Sequence, residues 1–565
     1  MNTNKHKINM KYLLIFFLPI FLFSNEIVDK TIALNLSSQV FGPTLEGILI
    51  TSEKEDINES FCKNISGIEI KNIKIPKGEK FLKKRLEKYF SKPLNEETIF
   101  EIKKEIIKYF NDKKHPFISV ITPNQDISCG VLQILIIEGK LGNLTVKGNK
   151  HFSTKQIVKS VRLKKDRAII PDLLDQDLYW LNRNPFRNVY AIYTPGEEEE
   201  TTDVELTVKD KWPIRLYTGM DNIGNDITGN NRFYAGFNIG NLFKKDQIVN
   251  YQFTSGANYS YFHAHSLFYT IPLPWRHIAE IIGGYSHVNT SHNVQTVSDN
   301  FKTKGFSLQA SLRYTIPIRP NKTLLSEFIS GFDFKRTNND LNYSQHGIVA
   351  QYANLTQLMM GYNLGFTTNT TKTTFEIEGF WSPGRWISDQ SSRIYQEIRP
   401  HAKNYYVYTR WASNFNWTFF YNCKFKSFFR GQLATCNLLP SEEYGLGGFD
   451  TIRGYKEREF NADQAVILNQ EFYLPSFNFM KFFTKKINST FEILGFFDWG
   501  YGAHNTKIQG LKKNTFMYSY GPGIRVSVVP YLTFRTDWGF QLKKFKQGYY
   551  KPITQRLHFS LTIGF

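Results

Sequence analysis

Long apolar runs are almost missing from this chain of 565 residues. Outside the first thirty positions no stretch is long enough for a transmembrane helix, which excludes a helical membrane bundle. Cysteine is scarce too: Cys62, Cys129, Cys423 and Cys436 are the full set, too few for a disulfide scaffold, and no CxxC or Cys/His spacing points to zinc. Cys62 and Cys129 flank one predicted small module, which leaves a bridge between them open. If Lys424 to Ser427 form a turn, Cys436 lies roughly eight residues along the strand from the residue facing Cys423. That is about 26 Å, beyond disulfide reach. Catalytic signatures are also absent: the sequence holds no GxSxG elbow, no P-loop and no HExxH. His263 and His265 share a strand face but have no evident third ligand. No cofactor and no metal are expected, and the chain does not read as an enzyme.

Aromatic residues, by contrast, are plentiful at 16%, with 31 Tyr and 49 Phe, and mean hydropathy is −0.36. A large soluble β protein fits those averages. A transmembrane β-barrel fits them equally, because lipid-facing apolar residues alternate with polar lumen residues and aromatics gather at the interfaces. The net charge of +20 raises the question of nucleic acid. The basic residues are scattered over strands and turns, with no basic helix, so a basic lumen or contact with anionic lipid headgroups accounts for them and no nucleic-acid partner is expected.

Lys5, Lys7 and Lys11 precede an apolar run from Tyr12 to Phe23, followed by Ser24-Asn25-Glu26. The run is too short to span a bilayer comfortably, so residues 1–24 read as a cleaved export signal rather than an anchor. Residues 25–66 read as an extension with one short, weakly amphipathic segment. A pattern then appears twice: strand, helix, helix, strand, strand. It first runs through Ile68–Lys74, Lys80–Phe90, Glu96–Phe110, Phe117–Thr122 and Val131–Glu138. Phe81, Leu82, Leu86, Tyr89 and Phe90 are expected on one side of the first helix. It recurs through Leu144–Lys147, Thr154–Val161, Leu173–Asn182, Val189–Thr194 and Val204–Lys209. The repeat predicts two small α+β modules, 67–138 and 139–210.

After Lys209-Asp210-Lys211-Trp212-Pro213 the helical period stops, and 211–565 reads as about sixteen alternating segments. Short connections with Pro or Lys, such as Pro272-Leu273-Pro274, Lys424–Ser427 and Pro530, alternate with long polar ones, such as Thr337–Asn354, Ser382–Tyr406, Pro440–Asp463 and Lys543–Gln555. That asymmetry is expected of an outer-membrane barrel, and an even strand number puts both barrel ends on the periplasmic side. In the last segment, Arg556 to Phe565, every odd position is apolar and would face lipid, with even positions facing the lumen.

One long connection carries Gly445-Leu446-Gly447-Gly448-Phe449-Asp450-Thr451-Ile452-Arg453-Gly454-Tyr455. Glycines allow a tight fold-back. A guanidinium at the tip of a loop folded into a lumen requires a carboxylate. Glu471, in Asn469-Gln470-Glu471-Phe472-Tyr473-Leu474-Pro475, and Asp498, in Phe496-Phe497-Asp498-Trp499-Gly500, sit in strands where the lipid face disfavours charge, so both are expected to point inward.

The loop, the Asp498 strand and the paired modules, with Leu181-Asn182-Arg183-Asn184-Pro185-Phe186-Arg187 near the end of the second, resemble the two-partner secretion transporters (ShlB/FhaC/HecB type) of the Omp85 superfamily. The resemblance covers about 500 residues. It implies an all-β transmembrane barrel of about 16 antiparallel strands preceded by two small α+β POTRA domains. It implies a lumen-loop motif of Gly447, Gly448, Phe449, Asp450, Arg453, Gly454 and Tyr455, with Arg453 paired to Asp498 and Glu471 as a second acceptor. It implies a barrel-assembly signal at Phe565, read by the assembly machinery, and contact with outer-membrane lipid. The implied substrate is an unfolded exoprotein of the haemolysin or adhesin kind, captured by the POTRA domains in the periplasm. Ile452 stands where the family more often has Val, and the plug helix common in the family is doubtful in Ile27–Ser60. The alternatives are an Omp85 assembly factor that inserts other barrels, which usually carries more POTRA repeats, and a passive porin-like channel, which would not need the Arg453 loop.

Overall fold

The computed structural model describes residues 43–565 apart from 60–64, 114, 199–200, 225–228, 294–299, 319, 322, 338–351, 483–486 and 546–552. The export signal, Cys62 and much of Ile27–Ser60, where no plug helix is expected, fall outside the described residues, as do most of Thr337–Asn354 and Lys543–Gln555. Cys129 is disulfide-bonded, while Cys423 and Cys436 are free.

The first module holds β1 (Gly47–Thr51), β2 (Gly67–Lys71), α1 (Glu79–Leu86), α2 (Glu96–Asp112), β3 (Ile118–Ile121) and β4 (Val131–Glu138), with sheet order β2-β1-β4-β3. Strand β1 pairs in parallel with both β2 and β4. It lies within the stretch 25–66 read as an extension; its apolar Ile48-Leu49-Ile50 is wholly buried, as a strand flanked on both sides requires. On α1 the buried side chains are Leu82 and Leu86, with Tyr89 just beyond, whereas Phe81 is 58% exposed. The expectation of a single apolar face including Phe81 is therefore corrected: Phe81 precedes Leu82 directly, and adjacent helical positions point about 100° apart.

The second module holds β5 (Lys140–Lys147), α3 (Thr154–Lys159), α4 (Pro171–Leu181), β6 (Arg187–Pro195) and β7 (Thr201–Asp210), with sheet order β5-β7-β6. Ser153 caps α3 by accepting the Gln156 amide, and Pro171 opens α4 where its missing N–H costs nothing. Leu141, Phe152, Ile157, Leu174, Leu181 and Leu206 belong to its core. The Asp210 carboxylate accepts the amides of Lys150, His151 and Phe152 at 2.8, 2.7 and 3.1 Å.

The barrel comprises β8 (Ile214–Asp221), β9 (Arg232–Leu242), β10 (Gln247–Gly256), β11 (Phe262–Pro272), β12 (Ile278–Asn293), β13 (Asn300–Pro317), β14 (Leu324–Thr337), β15 (Ala353–Thr367), β16 (Thr371–Ser382), β17 (Tyr406–Thr418), β18 (Lys424–Ala434), β21 (Gln464–Tyr473), β22 (Asn488–Ala503), β23 (Asn514–Val529), β24 (Leu532–Gln541) and β25 (Gln555–Gly564). These sixteen strands close, with β25 pairing back to β8. Between them lie a helix, α5 (Ser392–Ile398), in one external loop and a short hairpin, β19 (Tyr444–Leu446) with β20 (Phe460–Ala462), in another. No helix among the described residues is long and apolar enough to cross a membrane.

Alternation sets the two faces. In β25, His558 is buried toward the lumen while its neighbour Leu557 is 52% exposed on the outside. The turn expected at Lys424–Ser427 falls earlier: Phe420–Asn422 makes it, with Tyr421 and Asn422 at positive φ. Lys424 already pairs with Thr418 and its amine reaches Glu492 at 2.7 Å. The lysines are lumen residues of an alternating strand rather than turn residues, because a lumen carboxylate is there to receive them.

The Leu181–Arg187 segment fastens the second module to the barrel's near rim. Asn184 donates to Asp246 at 2.6 Å and Arg187 to the same carboxylate at 2.5 Å. Phe186 packs against Gly240, where an added Cβ would meet the ring at 2.0 Å. From the barrel turn, Arg276 reaches the buried Asp177 at 2.6 Å.

Candidate functional site

The connection between β18 and β21 does not stay outside. Its stem is the β19–β20 hairpin, and its tip turns into the lumen through Gly447 and Gly448, at φ 97° and 116°, angles that L side chains avoid. At the tip, Arg453 is 2% exposed. Its Nε and Nη2 donate to the two oxygens of Asp498 at 2.8 and 2.7 Å, and its backbone N–H donates to the same carboxylate at 3.0 Å. Nη1 donates to Glu471 at 2.6 Å. The guanidinium plane lies 3.6 Å from the centre of the Phe496 ring. This is the planar fork used bidentately, with a second carboxylate and a ring face taking what remains.

Three further groups complete the cluster. Asp537 on β24 lies 3.5 Å from Arg453, Arg525 on β23 reaches Asp537 at 2.9 Å, and Arg535 on β24 donates to it at 2.8 Å. Three arginines thus face three carboxylates, and the buried charges balance. Balance matters because an unmatched buried charge costs several kcal/mol. Asp450 accepts from Arg535 at 3.0 Å, and the Phe449 ring is stacked 3.8 Å from that guanidinium.

The backbone beside Arg453 is pressed onto the barrel wall. Gly454, at φ 88°, meets Gly539 so closely that an added Cβ would lie 2.8 Å from the Gly539 carbonyl carbon. Its N–H donates to Nε2 of His558 at 3.1 Å, and Gln541 donates to its carbonyl at 2.8 Å. Tyr455 is fully buried, and its hydroxyl donates to the carbonyl of Tyr518. Phe565, by contrast, is 75% exposed at the end of the chain, away from this cluster.

Asp537, Arg525, Arg535 and His558 were not singled out from sequence. The signal was present: Asp537, between Thr536 and Trp538, is a carboxylate in an alternating strand like Asp498. His263 and His265 lie side by side on the barrel's outer face with His287, and no three metal-binding side chains converge among the described residues.

A closed sixteen-stranded barrel, two N-terminal POTRA-like modules and an arginine-tipped loop in the lumen define an outer-membrane translocator of the Omp85 kind. The chain belongs to the haemolysin secretion/activation protein family ShlB/FhaC/HecB, whose model matches residues 200–526. HuxB of Haemophilus influenzae, a heme/hemopexin transporter protein, is 22% identical over 461 residues, covering 78% of this chain and 77% of its own. CdiB of Dickeya dadantii, an outer membrane transporter, is 21% identical over 394 residues, 68% and 67% of the two chains. The solved structure of CdiB from Escherichia coli superposes with a TM-score of 0.73 at 15% identity, over 95% of this chain and 93% of that one; at that identity the likeness speaks for the fold. The protein is therefore an outer-membrane transport protein of the two-partner secretion type, with its N-terminal modules in the periplasm and a secreted protein as its substrate class.

Proposed function

We propose that the chain captures an unfolded exoprotein on its POTRA modules and passes it through the barrel, with the Arg453 loop as a working part of the pore. The single observation that carries the reading is that the lumen is occupied by the chain's own loop, fastened by a charge-balanced cluster, so a conduit must be made rather than left open. A passive porin has no use for such a closure.

Capture proceeds by strand addition to a free sheet edge. β2 and β3 border the first sheet, and β5 and β6 the second. β6 offers Tyr190, Ile192 and Tyr193, each about two-fifths exposed, as apolar anchors beside its edge. The domain limits follow as 1–24 for the signal, 25–66 for the extension, 67–138 and 139–210 for the modules and 211–565 for the barrel. The first module draws β1 in from the extension. Phe565, exposed and terminal, is the mark by which the barrel-assembly machinery inserts the chain, and the exoprotein is haemolysin- or adhesin-like. Within the lumen, Arg453 with Asp498 and Glu471 holds the loop in its resting position, and Gly447, Gly448 and Gly454 give it the backbone freedom to lie there.

The test is export of a candidate exoprotein from the same locus, co-expressed with the intact chain or with a variant lacking residues 67–210. Export with the intact chain and its loss with the variant, at equal amounts of heat-modifiable barrel, is the expected result. Export that persists without the modules, or steady conductance with no export, contradicts the reading.

A further inference from the structure

A second fully buried arginine lies far along the chain from Arg453, and the reading above gives it no task. Arg399 follows α5 directly, in the external loop between β16 and β17. It has no exposed surface. Its Nη1 donates to Oδ1 of Asp463 at 2.5 Å and to the Leu438 carbonyl at 2.5 Å, and its Nη2 donates to Oδ2 of Asp463 at 3.0 Å. The same Nη2 lies 2.8 Å from Glu443 and 2.9 Å from Nδ1 of His504.

The positions of the two carboxylates give this cluster its meaning. Glu443 immediately precedes β19, where the chain starts into the lumen. Asp463 immediately follows β20, where it returns. One guanidinium therefore bridges the incoming and outgoing stems of the lumen loop. A neutral group repeats the bridge: Gln432 on β18, also fully buried, donates to the backbone carbonyls of Glu442 and Asp463, each at 3.1 Å.

We propose that Arg399 is a positioning residue of the transporter: by pairing at once with Glu443 and Asp463 it closes the stem of the lumen loop and so fixes where Arg453 sits. The inference rests on the reading that the loop is a working part of the pore.

The two carboxylates are held unequally. Asp463 takes a bidentate fork and also accepts the amides of Leu438 and Asn505 at 2.8 and 3.1 Å. Among the described residues neither carboxyl oxygen of Glu443 accepts a hydrogen bond, so that group is held by charge, with the Arg399 guanidinium at 2.8 Å. Burial acts to raise both carboxyls. For Glu443 burial prevails, even against Arg399. For Asp463 the neighbouring His504, the Arg399 fork and the Leu438 amide prevail and hold it below the ordinary carboxylate range. Glu443 is the looser of the two attachments and opens first.

α5 belongs to the connection between β16 and β17, and its Tyr395 and Ile398 are buried with Leu355, Tyr406 and Tyr408, so the clamp joins this connection to the loop inside the pore. Its Tyr395 hydroxyl donates to the Asn354 carbonyl at 2.6 Å, which ties the helix to the barrel wall at β15. A displacement of α5 would withdraw Arg399 from both stems together.

The experiment is hydrogen exchange on the full-length protein in detergent, with the amides of 444–462 read against those of β21–β25. Single-channel conductance and exoprotein export are measured on the same variants. Arg399→Met is expected to speed exchange across 444–462 by roughly tenfold or more, leave the barrel strands unchanged and raise resting conductance. Arg399→Lys, which keeps the charge without the fork, should restore part of the protection, and a residue that merely fills space would show no such partial rescue. If Arg399→Met does not assemble, Glu443→Gln, which removes one attachment, should still speed exchange at 444–446 several-fold. Unchanged exchange at 444–462 in Arg399→Met, or at 444–446 in Glu443→Gln, overturns the clamp. Faster exchange with normal export upholds the clamp and counts against the loop as a working part of the pore. Unchanged exchange with lost export overturns the clamp alone.

Discussion

The two ends of the lumen loop are anchored by different means. At the tip, Arg453 inserts into carboxylates carried by barrel strands β21, β22 and β24, and two more strand arginines balance the charge. At the root, Arg399 gathers groups carried by loops, namely Glu443, Asp463 and His504. The tip is thus set against a rigid wall, whereas the root is a joint between mobile kinds of element. A strand-borne cluster holds a position; a loop-borne cluster can be taken apart by moving one loop.

The largest effect that would break this comparison is expected at the tip. Arg453→Ala leaves Asp498 without its guanidinium and sets three buried carboxylates against two arginines, and should cost about 3–5 kcal/mol of loop anchoring. Adding Asp498→Asn removes one stranded charge and should recover part of that loss. A thermal-unfolding double-mutant cycle that gave simple additivity would contradict the direct pair. Next, Gly454→Ala forces a left-handed φ on alanine and drives its Cβ into Gly539. A cost of about 1–3 kcal/mol is expected, visible as faster exchange at Arg453 and Gly454, whose amides are bonded to Asp498 and His558.

At the root, Lys335→Met should be milder. It removes the 2.8 Å partner of Glu442, but that carboxylate keeps the Tyr408 hydroxyl at 2.6 Å. A loss of about 1–2 kcal/mol is expected from a charge-assisted hydrogen bond with a remaining partner. A loss as large as that of Arg453→Ala would mean that root and tip are equally rigid.

An effect no larger than that of Lys335→Met is expected outside the barrel, at Asp210 in the second module. Burial acts to raise its carboxyl, but the amides of His151, Lys150 and Phe152 outweigh it and hold the group below the ordinary value. A depressed folded pKa contributes stability that is present above the unfolded value, near 4, and is lost as pH falls through the folded one. Asp210→Asn should cost about 1–2 kcal/mol at pH 7. The difference from the parent should shrink as the melts are taken to lower pH; a constant difference would contradict the account.

The tip was legible in the sequence and the root was not, and the reason is geometric. Alternation assigns a face to every strand residue, and the lipid face rejects charge, so Asp498 and Glu471 announce themselves as lumen groups. Asp537 and His558 obey the same rule and were readable by it. Arg399, Glu443, Asp463 and His504 sit in connections without a period. Nothing local separates a buried arginine in a loop from the exposed Arg393 a few residues before it, because their difference is made by long-range packing. The paired modules were readable from their repeated element order. Strand β1 was not, since its partners β2 and β4 stand on either side of the sheet's crossover rather than in a hairpin beside it.

The most direct test of the central claim is export of the co-expressed exoprotein by Arg453→Ala, normalised to the amount of heat-modifiable barrel in the outer membrane. Export reduced by about an order of magnitude or more with the barrel intact is the predicted result, as anchoring free energy of several kcal/mol is lost. Export at the parental rate with the barrel intact would contradict a working role for the lumen loop and leave its charge cluster a structural fastening alone.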